Sequence, residues 1–219
     1  MGTPFFKQIY RKTAQFKRSR EFPYSRYNKA NNCIFIHIPK VAGTSIVNAL
    51  GGEKAKRNHL PWYVYYTANP KFFNRAFKFS FVRNPWDRVL SAYQYLSRGG
   101  NQQGDLKTSE ALLKYKGFED FVINGLGQGC FRSNLLFLPQ ADFVINGNEE
   151  LAVDFLGHFE SINDDFNKVM GELGIKRKLE KRNTSERDKN YREYYKSQKS
   201  VEVIENIYKQ DVTFFSYTF

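Results

Sequence analysis

Two short segments rich in Ile or Phe stand out along the chain, each closed by turn formers. CIFIHI (33–38) follows Asn31-Asn32 and stops at Pro39, and FKFSFV (77–82) stops at Arg83-Asn84-Pro85. Runs of this length, rich in Ile and Phe, predict buried strands. Helical spacing follows each. In GTSIVNAL (43–50), Ile46, Val47 and Leu50 share a face, Gly43 or Thr44 is the start signal and Gly51-Gly52 the stop. WDRVLSAYQYL (86–96) predicts a second helix, ended by Gly99-Gly100. The polar stretch 101–109 reads as a mobile loop, 109–124 as helix broken near Gly117, and GLGQGC (125–130) as a flexible loop. ADFVI (141–145) and LAVDFLG (151–157) read as strands about an NGNEE turn. SINDDFNKVMGELG (161–174) predicts an amphipathic helix with Ile162, Phe166, Val169, Met170 and Leu173 on one face. Residues 187–208 read as one or two helices before FFSYTF closes the chain. Strands alternating with helices predict an α/β fold with a P-loop-like, mainly parallel central sheet flanked by helices. Such sheets bind ligands at the carboxyl ends of their strands. The loops 39–45 and 83–85 fall there.

Composition narrows the picture. A chain of 219 residues, 41% hydrophobic, has the material for one real core and is not disordered. The organisation expected is a basic N-terminal arm, 1–31, and a single domain, 32–219. No apolar run approaches the roughly 18 residues of a membrane span. The first residues, MGTPFFKQIYRKTAQFKRSR, lack the apolar stretch of a secretory leader. The two cysteines, Cys33 and Cys130, have no metal-ligand spacing and read as free thiols in a reducing compartment, with a single disulfide as the alternative. The net charge of +12 is concentrated in two places. Residues 1–30 carry a surplus of seven positive charges and residues 176–199 a surplus of six, leaving the body nearly neutral. Those segments are either solvated faces or an attraction for polyanions.

The chemistry sits in the loops. PKVAGTS, between a strand and a helix start, offers free backbone amides and the positive end of a helix dipole. Gly43 permits close approach, Thr44 and Ser45 add hydroxyl donors, and Lys40 adds a charge. The order is not that of a nucleotide loop, where the lysine follows the last glycine and a hydroxyl residue holds Mg²⁺. The alternative is an ordinary strand-to-helix turn that happens to hold a lysine. In FSFVRNPWDRVLSAY, Arg83 ends a strand and Ser91 lies eight residues on. An arginine fork with a hydroxyl suits a phosphate dianion. The plainer reading pairs Arg83 with Asp87 to close the turn.

Together, IHIPKVAGTS and FVRNPWDRVLSAY resemble the sulfotransferases, in particular the glycan type that includes heparan and chondroitin O-sulfotransferases and bacterial relatives. The likeness extends to VDFLGHFESINDDF (153–166), RNTS (182–185) and DVTFFSYTF (211–219), so it covers most of the chain from about residue 33. It implies the sulfotransferase fold and sulfuryl transfer from 3′-phosphoadenosine 5′-phosphosulfate (PAPS), without a metal, to an acceptor hydroxyl, most plausibly on a saccharide. It further implies that Lys40, Val41, Ala42, Gly43, Thr44 and Ser45 hold the 5′-phosphosulfate and that Arg83 and Ser91 hold the 3′-phosphate. Asn183 and Ser185 fall in the family's later donor-contacting segment, where the bland reading is a capped turn. The family loop often reads P-K-T-G-G-T-S, so Val41-Ala42 replace Thr-Gly here and remove one hydroxyl. With no anchor segment, the resemblance implies a soluble, bacterial-type enzyme of the cytoplasm; the Golgi lumen would require an anchor outside this sequence.

A base must take the acceptor's proton. His59, in RNHLPWYVYY, precedes Arg83 by 24 residues, in the interval where some glycan O-sulfotransferases place a catalytic histidine. It is the expected base, with Lys40 stabilising the leaving phosphate and Glu53 as the alternative base. His37 is expected to be a satisfied core or supporting residue, and His158 structural. Arg132 and Gln140 are candidates to face the acceptor. WYVYY (62–66) is either core or a sugar-stacking surface. Two other function classes remain open on sequence: an ATP–Mg²⁺ kinase, weakened by the missing Gly-Lys-Ser/Thr, and a non-enzymatic polyanion-binding module built on the basic segments. No nucleic-acid partner is expected.

Overall fold

The computed structural model describes residues 22–101, 104–180 and 190–219. In chain order the main elements are α1 (Arg26–Ala30), β1 (Cys33–Ile36), α2 (Gly43–Gly51), α3 (Trp62–Ala68), α4 (Pro70–Arg75), β2 (Phe77–Val82), α5 (Pro85–Ser97), α6 (Leu106–Leu112), α7 (Phe118–Asp120), α8 (Ala141–Val144), β3 (Phe155–His158), α9 (Ile162–Glu172), α10 (Gln198–Ile207) and α11 (Lys209–Phe214). They form two compact units. Met1–Val82 with Gln140–Thr184 make the first, and Arg83–Pro139 with Ser185–Phe219 the second.

The first unit holds a three-stranded parallel sheet in the order β1-β2-β3, with Cys33 opposite Phe77 and Phe79 opposite Phe155. Every residue of β1 is buried, which is why the run shows no alternation. Phe35 stacks on Phe79 across the sheet at 5.1 Å. Ser80, the polar residue inside β2, is satisfied by donating to the Ile36 carbonyl at 2.6 Å. Gly157 in β3 is required by packing, because a Cβ there would lie 2.5 Å from the Phe81 ring. Asn69 caps α4 by accepting from the Phe72 amide, with Pro70 in the first turn. The end of the basic arm packs into this unit: Tyr24, Tyr27 and Asn28 are buried, and Tyr24 Oη donates to the Tyr65 carbonyl at 2.6 Å. Residues 1–21 and 181–189, which carry much of the positive charge, lie outside the described residues.

The second unit is built on α5. Trp86, Leu90, Leu96, Phe121, Phe137 and Tyr208 form its core. Their polar edges are all satisfied: Trp86 Nε1 donates to the Val201 carbonyl, Tyr195 Oη to that of Trp86 and Tyr208 Oη to that of Phe137. Arg88 is wholly buried, donating to the Leu136 and Leu138 carbonyls at 3.2 and 2.7 Å with its guanidinium 5.3 Å over the Tyr208 ring.

Several expectations need correction. ADFVI is not a strand: Ala141–Val144 is a short helix. Only Ile145 leaves it extended, meeting Leu151 in a single antiparallel bridge. An apolar run this short carries no period that separates strand from helix. Of 151–157, only Phe155 onward pairs with β2, and before it the Asp154 carboxylate takes over, accepting from the Lys78 amide and ammonium. The polar stretch 101–109 is partly helical from Leu106. The helix after Gly117 runs on into a π-helical turn, Phe121–Leu126, which takes in the first residues of the supposed loop at 125–130. In α9, Phe166, Val169 and Met170 are buried as expected, whereas Ile162 and Leu173 are only half-buried. Asp165 joins the buried face, accepting from the His158 amide, the Ser161 hydroxyl and the Lys168 ammonium, so it ties the helix to β3.

Candidate functional site

The loop after β1 is shaped by backbone rather than by side-chain bulk. Lys40 and Ala42 both have positive φ, 70° and 60°, on either side of Val41. Left-handed residues alternating with ordinary ones turn successive amides inward and make an anion-sized concavity. Val41 is fully buried, so its side chain belongs to the core. The Ser45 and Ile46 amides turn back onto the Ala42 carbonyl at 3.0 and 3.4 Å. Gly43 and Thr44 head α2, where the first amides have no intrahelical acceptor. Ser45 is buried, while Lys40 and Thr44 are half-exposed.

Beneath the loop lies His37. A Cβ on Gly43 would fall 1.8 Å from His37 Nε2, so glycine at 43 is demanded by the imidazole under it. Of the two expectations for His37, satisfied core or supporting residue, the first is not met: Nδ1 is buried with no hydrogen-bond partner among the described residues. Its ring stacks on Phe35 on one side and lies 4.0 Å from the His59 ring on the other. Burial, then His59 and Arg57, hold its pKa well below the ordinary histidine value.

His59 arrives from the segment between α2 and α3. Its Nδ1 lies 3.0 Å from the His37 carbonyl oxygen. A carbonyl can only accept, so Nδ1 carries the proton and Nε2 is the basic nitrogen of the neutral ring. Burial lowers the His59 pKa, the His37 carbonyl partly opposes this, and the Arg57 and Lys40 charges lower it further. The ring is therefore neutral near pH 7, as a base must be. Arg57, which no sequence argument singled out, reaches the loop itself, its Nη1 3.4 Å from Thr44 Oγ1. In the run KAKRN it reads as one more solvated cation, and no local pattern marks it. Glu53, the alternative base, is exposed on the same segment.

The second unit carries the other candidates. Arg83 is buried, and its Nε and Nη2 both reach Asp87 Oδ2 at 2.7 Å. The plainer expectation for Arg83 is thus realised, and it leaves the guanidinium oriented at the head of α5. Ser91 is buried two turns along that helix. Arg132 donates to the Leu126 and Gly127 carbonyls, closing the π-helical turn. Gln140, in the first unit, is fully buried and so does not face an acceptor, whereas Arg132 is exposed. In α3, Val64 and Tyr65 are core, Trp62 donates to the Ile145 carbonyl and Tyr66 is exposed, so the aromatic run is mostly packing. Asn183 and Ser185 lie outside the described residues. Both cysteines are free, Cys33 buried with its thiol pushed up to about 12, and Cys130 exposed.

A parallel α/β sheet with a lysine-bearing loop after its first strand and a neutral imidazole nearby is an arrangement suited to holding an anionic group. Comparison with known proteins assigns the family. The model of the sulfotransferase family matches residues 24–218, and the chain belongs to that family. A protein of Archaeoglobus fulgidus, described only as uncharacterized, is 29% identical over 135 residues, spanning 60% of this chain and 95% of its own. No solved structure matches the chain. No helix among the described residues is long and apolar enough to cross a membrane.

Proposed function

We propose that the chain is a PAPS-dependent O-sulfotransferase whose acceptor hydroxyl is carried on a saccharide, with His59 as the base. The observation that carries this reading is the His59 tautomer, held by the His37 carbonyl so that Nε2 of a neutral ring is left basic, with the Lys40 charge close enough to lower the ring's pKa. The residues of the loop fit a phosphosulfate: amides turned inward, two hydroxyls and an ammonium are donors suited to an oxyanion. When bound, the donor supplies a sulfuryl group whose bond to the 5′-phosphate oxygen breaks as the bond from the acceptor oxygen to sulfur forms. His59 Nε2 takes the acceptor's proton. Lys40 stabilises the charge left on the phosphate oxygen. On the resemblance, Arg83, steadied by Asp87, and Ser91 hold the 3′-phosphate, with Asn183 and Ser185 as further donor contacts. Family membership favours sulfuryl transfer over the kinase reading.

The test is thermal stabilisation by 3′,5′-adenosine bisphosphate against ATP–Mg²⁺, followed by sulfate transfer from PAPS to a saccharide panel. At 100 times Kd, binding adds about 2.7 kcal/mol to stability, which is easily seen. The bisphosphate is expected to stabilise the protein, and Arg83→Ala to abolish that shift. Lys40→Ala and His59→Ala are each expected to cost roughly 10²–10³ in turnover while the fold persists. Stabilisation by ATP–Mg²⁺ alone would overturn the proposal.

A further inference from the structure

The segment EKAKRNH (53–59) delivers three cations just ahead of the proposed base, and one of them touches the loop. Arg57 is exposed, yet its guanidinium is drawn to Thr44 Oγ1, a neutral acceptor at a long 3.4 Å. Among the described residues it has no carboxylate partner. Surface arginines of no function usually lie in solvent or pair with an acid. Here the charge is held over a loop residue, on the side where His59 lies two residues away in the chain. It acts, with Lys40, on the His59 imidazole, whose pKa both charges lower.

We infer that Arg57 is a further binding residue of the reaction, contacting the sulfuryl oxygens of the donor between the loop and His59. The inference rests on the sulfotransferase reading above and assigns the residue that recognises the group being moved. The guanidinium presents several donors in one plane, enough for Thr44 Oγ1 and two sulfuryl oxygens together. Its second consequence concerns the base. Arg57 is one of the charges that depress the His59 pKa, and an oxyanion seated against it offsets that charge. His59 is then more basic when the donor is bound than in the free protein, at the moment a proton must be taken.

The experiment compares PAPS with 3′,5′-adenosine bisphosphate, which differs by the sulfuryl group alone, by calorimetry without acceptor. Wild type, Arg57→Gln and Arg57→Lys are measured together, with melting temperatures as the check on folding. Arg57→Gln is expected to weaken PAPS about ten- to a hundredfold, as for a lost charge-assisted hydrogen bond, and to leave the bisphosphate unchanged. Arg57→Lys is expected to recover part of the loss. In the free protein, the His59 imidazole resonance should titrate at higher pH in Arg57→Gln than in wild type, a change that a merely structural residue would not produce. Equal weakening of both ligands would place Arg57 on the phosphate and overturn the inference. Unchanged PAPS affinity with a raised acceptor KM would overturn it in favour of an anionic acceptor group. Failure of wild type to bind either ligand would overturn the sulfotransferase reading itself, and this one with it.

Discussion

At the scale of single residues, the candidate site turns on which nitrogen of one histidine carries a proton. His59 Nδ1 is committed to a backbone oxygen, so the tautomer does not depend on any side chain that titrates. The acid limb of kcat/KM for PAPS, the donor, reports the base of the free protein. Burial and the charges of Arg57 and Lys40 lower the His59 pKa, so that limb is expected below the ordinary histidine value of 6.5. Activity is thus retained as pH falls through 6.5 and is lost only lower. The measurement is a pH–rate profile for wild type and Arg57→Gln, in which the variant's limb moves up. A wild-type limb at or above 6.5 would remove His59 from the role. His59 was legible because it falls in the interval before Arg83 where some of the resembling glycan O-sulfotransferases place a catalytic histidine. Arg57 was not, because its meaning lies in where the chain returns after α2, and nothing local to KAKRN records that return.

At the scale of elements, what the pattern revealed and what it hid have one cause. β1 and β2 lie in a parallel sheet and are buried for most of their length, so β1 reads as a continuous apolar run and β2 as a Phe-rich one, both with sharp ends. β3 and α8 are each four residues long, and a run that short cannot show a period, so one was read too long and the other as the wrong type. Asp165 escaped because a search for an apolar face passes over a buried carboxylate, although three donors satisfy it. The β1–α2 loop was legible in residue types, but its strain was not. Ala42 holds a left-handed conformation at φ 60°, where the resembling family often has glycine. That conformation costs an alanine roughly 1–2 kcal/mol, and glycine's freedom in the unfolded chain gives back 0.5–1 of it. Ala42→Gly is therefore expected to stabilise the protein by about 0.5–1 kcal/mol in urea unfolding. Gly43→Ala, one residue on, is expected to do the reverse, losing about 1–3 kcal/mol as its methyl meets the His37 ring. Equal effects at the two positions would mean that the loop's shape is not set by the imidazole beneath it.

At the scale of the whole molecule, the imidazoles that serve the site also make folding sensitive to acid. His37 and His59 both have folded pKa values below the ordinary 6.5, His37 strongly so, and both belong to the first unit. Below 6.5 the unfolded chain binds protons that the folded chain refuses, so stability is complete above that pH and declines as pH falls below it. For His37 the decline approaches about 1.4 kcal/mol per pH unit, because burial removes the water that would solvate its charge. Asp165 acts in a different window. Burial raises its carboxyl, but Lys168, the His158 amide and Ser161 more than offset this and leave it below the ordinary 3.8. Its contribution is present above 3.8 and is lost only as pH falls through its lowered value. Urea unfolding between about pH 7.5 and pH 5 should therefore show a loss that belongs to the histidines alone. The His37 imidazole resonance should stay neutral through that range until the fold is lost. A flat stability curve, or a His37 ring that protonates in the folded protein, would mean that Nδ1 finds a partner in solution, and that the orphaned nitrogen under the loop is not part of the native state.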